Sequence, residues 1–246
     1  PSLDASTTKV TSIRHINNIQ YQFCCPVETP EGQKIGIVKS LSMMSTITNQ
    51  NLSQKIIIMD ILEDFKKISH PFEVNALELK DWSKIYLNGD WVYCTKHIVE
   101  IYNILLEKKQ NNEISNSTSI LLDYNEKELK VYFDGGRYIR PLLKIENNNI
   151  VITKKIINEV KTILQEKESN SGWNRLITKH KNIITYEDIE SSRYIMLAED
   201  LYNLKDNLAN KNREIVYNDS TIINRYGDYR YVNFTHIEFH RWTMLG

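Results

Sequence analysis

Residues 25–44 read CPVETPEGQKIGIVKSLSMM, and their punctuation is that of a stiff bend rather than of a helix or strand. Pro30 locks its own φ and Gly32 allows a reversed turn. Glu28, Thr29, Pro30, Glu31 and Gly32 can therefore hold a carboxylate on a rigid corner. Gln33, Gly36 and Lys39 follow, the lysine sitting in a run of apolar and small residues. That run, 35–48, is expected to form a buried turn-and-strand region. Upstream, residues 1–13 are polar, rich in Ser and Thr, and read as a loop.

Further along, Ile56, Ile57, Ile58 and Met59 predict a short buried strand. Asn88 and Gly89 give the strongest hairpin signal, flanked by Ile85, Tyr86, Leu87 on one side and Trp91, Val92, Tyr93 on the other. Ile98, Ile101, Tyr102 and Leu105 recur at helical spacing, and a polar loop over 111–119 comes after them. Residues 129–133 are strand-like and end at Asp134, Gly135 and Gly136, a turn that needs glycine's freedom at positive φ. Ile156, Ile157, Val160, Ile163 and Leu164 mark a second amphipathic helix, closed by Ser171 and Gly172. The chain turns polar again over 205–220, and 229–240 alternate like a strand. These elements make a mixed α+β chain, without repeats.

Bulk composition narrows the function. The 246 residues are 41% hydrophobic and 25% charged, ordinary for a globular protein with room for one large domain or two to three small ones. Lys+Arg and Asp+Glu are 31 each. A free-standing nucleic-acid binder is usually basic, whereas a slice of a larger machine escapes that expectation. Cys24, Cys25 and Cys94 fit neither a disulfide framework nor a zinc pattern and read as buried thiols. No apolar run nears the roughly 20 residues needed to cross a bilayer, and the first residues lack a signal-peptide shape. The chain is expected to be intracellular. Its opening on Pro1 and its close on Met244, Leu245 and Gly246, straight after a strand-like segment, suggest an excerpt of a longer polypeptide.

The 25–44 block resembles the hallmark of the second-largest (β-like) subunit of multisubunit DNA-directed RNA polymerases, and similar segments follow in order. LNGDW at 87–91 is similar to that family's Asn-Gly-x-Trp hairpin. EKELK at 126–130 with DGGRYIRPL at 134–142 looks like its EKELK…DAGR-x-x-RPL segment. Trp173 and Leu176 leading to YEDIE at 186–190 resemble its next module. THIEFH at 235–240 with Leu245 and Gly246 is similar to the THxEIHPSxILG that opens the hybrid-binding domain. Gln33 and KSLS at 39–42 look like the eukaryotic, archaeal and viral branch, and the Ile/Asn/Lys-heavy composition suggests an AT-rich genome such as that of a large DNA virus. Two stretches depart from the pattern: residues 17–22 where the family has His-x-(Ser/Thr)-His-aromatic-Gly, and Arg241, Trp242, Thr243 where it has a Pro-Ser-hydrophobic step.

The resemblance implies a division into several small mixed domains: the C-terminal part of a fork domain (1–50), an external 1 domain (51–150), an external 2 domain (151–225) and the start of the hybrid-binding domain (226–246). It implies DNA-templated nucleotidyl transfer by the assembled enzyme, with Mg²⁺ held by the largest subunit and no catalytic or metal-binding residue in this stretch. Two-metal transfer needs a tight carboxylate cluster, and no Asp-x-Asp-type cluster occurs here. The implied partners are the largest subunit and other polymerase subunits, the DNA template, the RNA transcript and nucleoside triphosphates, with no membrane. The implied location is the nucleus or cytoplasm of a host cell, or a virion. Arg14, Glu28, Pro30, Glu31, Gly32, Gln33 and Lys39 would lie near the fork and active centre. Arg14 is expected to pair with Glu31 through a bidentate guanidinium–carboxylate contact, against the plainer reading of an interdomain salt bridge. Lys39 would touch nucleic-acid backbone or lie solvated.

Other readings stay open. Arg137 and Arg140 around Tyr138 could be a stacking nucleic-acid patch or, with Arg140 anchoring the turn before Pro141, structural. His236, Glu238 and His240 share one face if extended and could hold a metal in a stand-alone hydrolase or deaminase, although the partner cysteine motif of zinc deaminases is missing. A non-catalytic paralogue or split scaffold fragment of a transcription complex is the remaining alternative.

Overall fold

Period-2 apolar patterning, broken by turn residues, builds the two sheets that organise the chain. The structure, a computed structural model, describes residues 11–17, 20–146, 149–165, 179–180, 183–192, 195, 197–198 and 231–232. The strands are β1 (Thr46–Ile47), β2 (Ile68–Ser69), β3 (Ser83–Leu87), β4 (Asp90–Thr95), β5 (Ser119–Asp123), β6 (Glu128–Tyr132), β7 (Tyr138–Glu146), β8 (Asn149–Ile150), β9 (Ile184–Asp188), β10 (Leu197–Ala198) and β11 (Tyr231–Val232). The helices are α1 (Ser53–Asp64), α2 (Ile98–Gln110), α3 (Lys154–Gln165) and α4 (Ile189–Ser192). The architecture is mixed α+β.

The first sheet runs β2-β4-β3-β6-β5, with β3 and β6 parallel and the other pairs antiparallel. Its hairpin turns at Asn88 (φ 50) and Gly89 (φ 93), the left-handed pair that a tight β-turn of this hand requires. The Asn88 side chain also accepts a hydrogen bond from the Phe133 N–H at 2.8 Å, tying the turn to the end of β6. Alternate residues Ile85, Leu87, Leu129 and Val131 point to one side, where they bury Ile58 and Leu62 of α1 and Ile101, Tyr102 and Leu105 of α2. At the margin of this core the Tyr93 hydroxyl donates to Glu63 at 2.8 Å.

That hydroxyl predicts an alkaline limit. Burial first, and then the hydrogen bond to Glu63 and its charge, push the Tyr93 pKa up to about 12. An unfolded tyrosine ionises near 10. The neutral phenol is thus favoured in the fold; its contribution is complete below pH 10 and is lost as pH rises toward 12. Urea unfolding across that window should show a stability loss that Tyr93→Phe reduces.

The second sheet is organised by β7. It pairs antiparallel with β1 at Ile139 and Tyr138, with β9 over Ile139–Leu143, and with β11 at Leu143 and Lys144; β10 then lies parallel to β11. Its strands come from both sides of residue 150. Charged groups join it to the first sheet. Arg137 donates to Asp134 (2.7 Å), Ser119 (2.6 Å), the Ser117 carbonyl (3.0 Å) and Asp188 (3.0 Å). Lys109, on the last turn of α2, donates to the Tyr186 carbonyl at 2.8 Å and pairs with Glu187 at 3.4 Å; the two side chains are 3% and 4% exposed.

Two expectations fail here. Residues 56–59 are not a strand: they lie inside α1, where Ile58 and Leu62 (i, i+4) are buried and Ile56 is 65% exposed. Packing against the first sheet overrides the β preference of three consecutive isoleucines. The 35–48 run is not wholly buried either, since Ile35, Val38, Met43 and Ile47 are all about half exposed. The hairpin at 88–89, the helix from Ile98, the strand at 129–133, the positive-φ turn at Gly136 and the amphipathic helix over 156–164 form as expected. The helix end at 171–172, the polar stretch 205–220, the Trp173 module's start and the 229–240 strand, apart from β11, lie outside the described residues.

Candidate nucleic-acid interface

The bend at 25–40 is a closed loop. Its ends meet where the Cys25 N–H donates to the Ser40 carbonyl at 2.8 Å, and Ser42 donates to the Phe23 carbonyl at 3.0 Å. Phe23, Cys24 and Cys25 are buried beneath it. Burial pushes the Cys24 thiol upward, with Lys39 opposing. The Glu28 N–H donates to the Cys25 sulfur at 3.2 Å. A 3₁₀ turn, Gly32–Lys34, then reverses the chain, with Gly32 at φ +74.

Arg14 stands at the end of another 3₁₀ turn, Ser12–Arg14, and straps the loop from outside. Its Nη1 donates to the carbonyls of Gln33 and Ile35, both at 2.9 Å. The expected Arg14–Glu31 pair is not formed; Glu31 is exposed and makes no ion pair among the described residues. The reason is geometric: two carbonyls on the turned backbone offer the guanidinium its acceptors, leaving the carboxylate turned to solvent. Gly36 permits this closeness. It sits at φ +71, and a Cβ there would lie 2.2 Å from the Arg14 carbonyl oxygen.

Thr29 braces the loop across its width. Its hydroxyl accepts from the Gly36 N–H at 2.8 Å and donates to the Val38 carbonyl at 3.3 Å. Lys39 donates to the Gly36 carbonyl at 3.0 Å and is half-buried. Glu28 is half-buried, while Pro30, Glu31, Gly32 and Gln33 are exposed at the tip. The structure thus gathers Arg14, Glu28, Pro30, Glu31, Gly32, Gln33 and Lys39 into one strapped loop. The sequence reading set Thr29 on the bend but gave neither it nor Gly36 a role of its own. Their signal was a hydroxyl and a glycine seven residues apart around a Pro-Glu-Gly turn.

The loop carries no nucleophile–base pair, and among the described residues no group of three or more His, Cys, Asp or Glu could hold a metal. What it offers is a braced backbone that presents an exposed carboxylate, Glu31, at its tip. Arg137 and Arg140, the other cationic candidates, are used internally. Arg140 is buried, donates to the Gln22 side chain and lies 5.1 Å over the Phe23 ring. It anchors the base of the strapped loop to β7 rather than facing nucleic acid. His236, Glu238 and His240 lie outside the described residues. No described helix is long and apolar enough to cross a membrane.

Comparison with known proteins accounts for the same segments. The family described as RNA polymerase Rpb2, domain 3, matches residues 1–47, and RNA polymerase Rpb2, domain 4, matches 85–146. The DNA-directed RNA polymerase subunit 2 of Acanthamoeba polyphaga mimivirus is 35% identical over 254 residues, covering 100% of this chain and 20% of that protein. The RNA polymerase II subunit RPB2 of Encephalitozoon cuniculi is 29% identical over 97% of this chain and 18% of its own length. The archaeal subunit Rpo2 of Saccharolobus shibatae is 30% identical over 60% of this chain and 14% of its length. The chain spans about a fifth or less of the length of these relatives. With the bend, the hairpin and the DGGRYIRPL strand falling in order within these matches, the chain belongs to the family of second-largest RNA polymerase subunits, homologous to viral, eukaryotic and archaeal members.

Proposed function

We propose that the chain works as part of the second-largest subunit of a DNA-directed RNA polymerase, and that its strapped loop positions DNA at the fork and supports the active centre. The observation that carries this reading is the 35% identity to a viral subunit 2 along the whole chain. Chemistry by the assembled enzyme would be nucleotidyl transfer from nucleoside triphosphates on a DNA template. Mg²⁺ would be held by carboxylates of the largest subunit, and partners would include that subunit, the other polymerase subunits, template and transcript. Within the chain, the fork segment would end near residue 50, two external domains would follow, and the hybrid-binding domain would begin near 226. The second sheet, through β7, would join the two external domains.

In this role Arg14 acts as a positioning residue, through the backbone of Gln33 and Ile35, and Glu31 is the group presented. Phosphate and backbone contacts of this kind give register without reading sequence, as a general transcription enzyme requires. The test is a polymerase reconstituted with full-length subunit carrying Arg14→Ala or Glu31→Ala. Assembly should be unchanged. Elongation should slow, by up to about tenfold for Arg14→Ala, the rate equivalent of one charged hydrogen bond worth about 1.5 kcal/mol. Wild-type elongation and fidelity in both variants would sink the fork role.

A further inference from the structure

The strapped loop is mounted on one short stretch at the start of β7, and that seat grips the chain both where it enters the loop and where it leaves. On the entering side, Arg140 is 3% exposed and donates to the side chain of Gln22, itself 2% exposed. The same guanidinium lies 5.1 Å over the ring of Phe23. Gln22 is held at φ 65, in the left-handed region that a glutamine adopts only at a cost. On the leaving side, Thr46 and Ile47 pair with Ile139 and Tyr138. Thr48 follows, buried, with its N–H donating to the Arg137 carbonyl at 2.9 Å and its hydroxyl accepting from the Arg137 N–H at 3.0 Å. The seat, 137–140, is itself fixed from two directions. Arg137 donates into the first sheet at Ser119, while Ile139 and Arg140 pair with Asp188 and Glu187 of β9.

We propose that Arg140 is a positioning residue for nucleotide addition, acting through Gln22 and Phe23 on the loop that presents Glu31. The proposal rests on the fork reading given above. Each step of the path is a contact. The guanidinium fixes Gln22 and Phe23, the Phe23 carbonyl accepts from the Ser42 N–H at 3.0 Å, and Cys24 bridges Leu41. Cys25 then closes the loop on the Ser40 carbonyl. Arginine suits this work, because a planar guanidinium stacks on a ring while donating in its own plane, and a lysine ammonium does not. Without it the buried Gln22 amide loses a donor, and the left-handed backbone at Gln22 loses the contact that offsets its strain. The entering stem would relax while the leaving stem stays clamped through Thr48. The loop would therefore loosen from one side, and the tip carboxylate would shift, without the sheets coming apart.

The test uses polymerase reconstituted with full-length subunit carrying Arg140→Met, which keeps an apolar stem and removes the guanidinium. Backbone hydrogen exchange at Cys25 and Ser42, the N–H groups that close the loop, should quicken at least about tenfold, while Thr48 stays protected. Nucleotide addition at saturating substrate should slow by up to about tenfold, the rate equivalent of one hydrogen bond to a charged group. Gln22→Asn reaches the same contact from the loop side, because asparagine tolerates positive φ but is a methylene too short for Arg140. It should reproduce both effects. The deciding readout is a cycle with Glu31→Ala. A residue that acts through the loop adds nothing to the slowing that Glu31→Ala already causes. Equal slowing by Arg140→Met in both backgrounds would overturn the proposal, since a general loss of structure is indifferent to the tip carboxylate. So would unchanged exchange at Cys25 and Ser42 in both Arg140→Met and Gln22→Asn. Faster exchange in those variants, with wild-type elongation in Glu31→Ala, would instead overturn the fork reading and the rate effect with it.

Discussion

Gly36→Ala should open the 25–40 loop. At φ +71 any L side chain is strained by about 1–2 kcal/mol, and here the added methyl would also meet the Arg14 carbonyl oxygen at 2.2 Å. Backbone cannot yield as a flexible side chain does, so either the loop or the Arg14 turn must move. Either movement breaks the paired hydrogen bonds from Arg14 and the Thr29 brace at the Gly36 N–H. The total cost should be at least about 3 kcal/mol, adding charged hydrogen bonds to backbone strain. Gly32→Ala is the control, with the same sign of φ but no atom within 4 Å of the added methyl; it should cost only the strain. Hydrogen exchange of the full-length subunit separates them: protection at Cys25 and Gly36 should collapse in the first variant and largely persist in the second. Under the proposed fork role elongation should follow the same order, because the backbone that carries Glu31 is only as rigid as its braces.

Lys109→Ala should be the most damaging single change away from the loop. It strips a buried Glu187 carboxylate of its cation and the Tyr186 carbonyl of its donor. Leaving one member of a buried pair uncompensated typically costs about 3–5 kcal/mol. Replacing both Lys109 and Glu187 with methionine should recover most of that loss, since two buried charges are themselves expensive to desolvate. Urea unfolding of the chain checks this: the single variant should be far less stable than the double. Equal stabilities for the two would mean that the Glu187 charge left behind costs nothing.

Local rules carried the sequence reading furthest where contacts are local. Asn88–Gly89 needs only its own backbone geometry, and α2 announces itself by spacing. The reading failed at 56–59 because isoleucine runs suit strands, and only the sheet that packs on α1 decides that Ile58 and Leu62 face inward while Ile56 does not. The candidate site was visible as a set of residues, since the bend residues are adjacent in the chain. Its internal wiring was not. An arginine and a glutamate seventeen residues apart look like a pair, yet Arg14 finds carbonyls, groups every residue has and no sequence pattern marks. The Lys109–Glu187 contact spans 78 residues and leaves no local trace.

The Gln22–Arg140 contact sets an order of events as the chain leaves the ribosome. The residues that found the strapped loop are made early, but Arg140, which donates to the Gln22 side chain, is made 118 residues later. β1, at 46–47, likewise waits for Tyr138 and Ile139. The first sheet and its two helices close on themselves by residue 133, and closing contacts of shorter span form sooner. A nascent chain that has emerged from the ribosome through residue 133 but not yet through 138 would therefore hold a folded first sheet beside a strapped loop without its anchor. Variants that weaken β7 should surface as immature polymerase before they surface as a slow one.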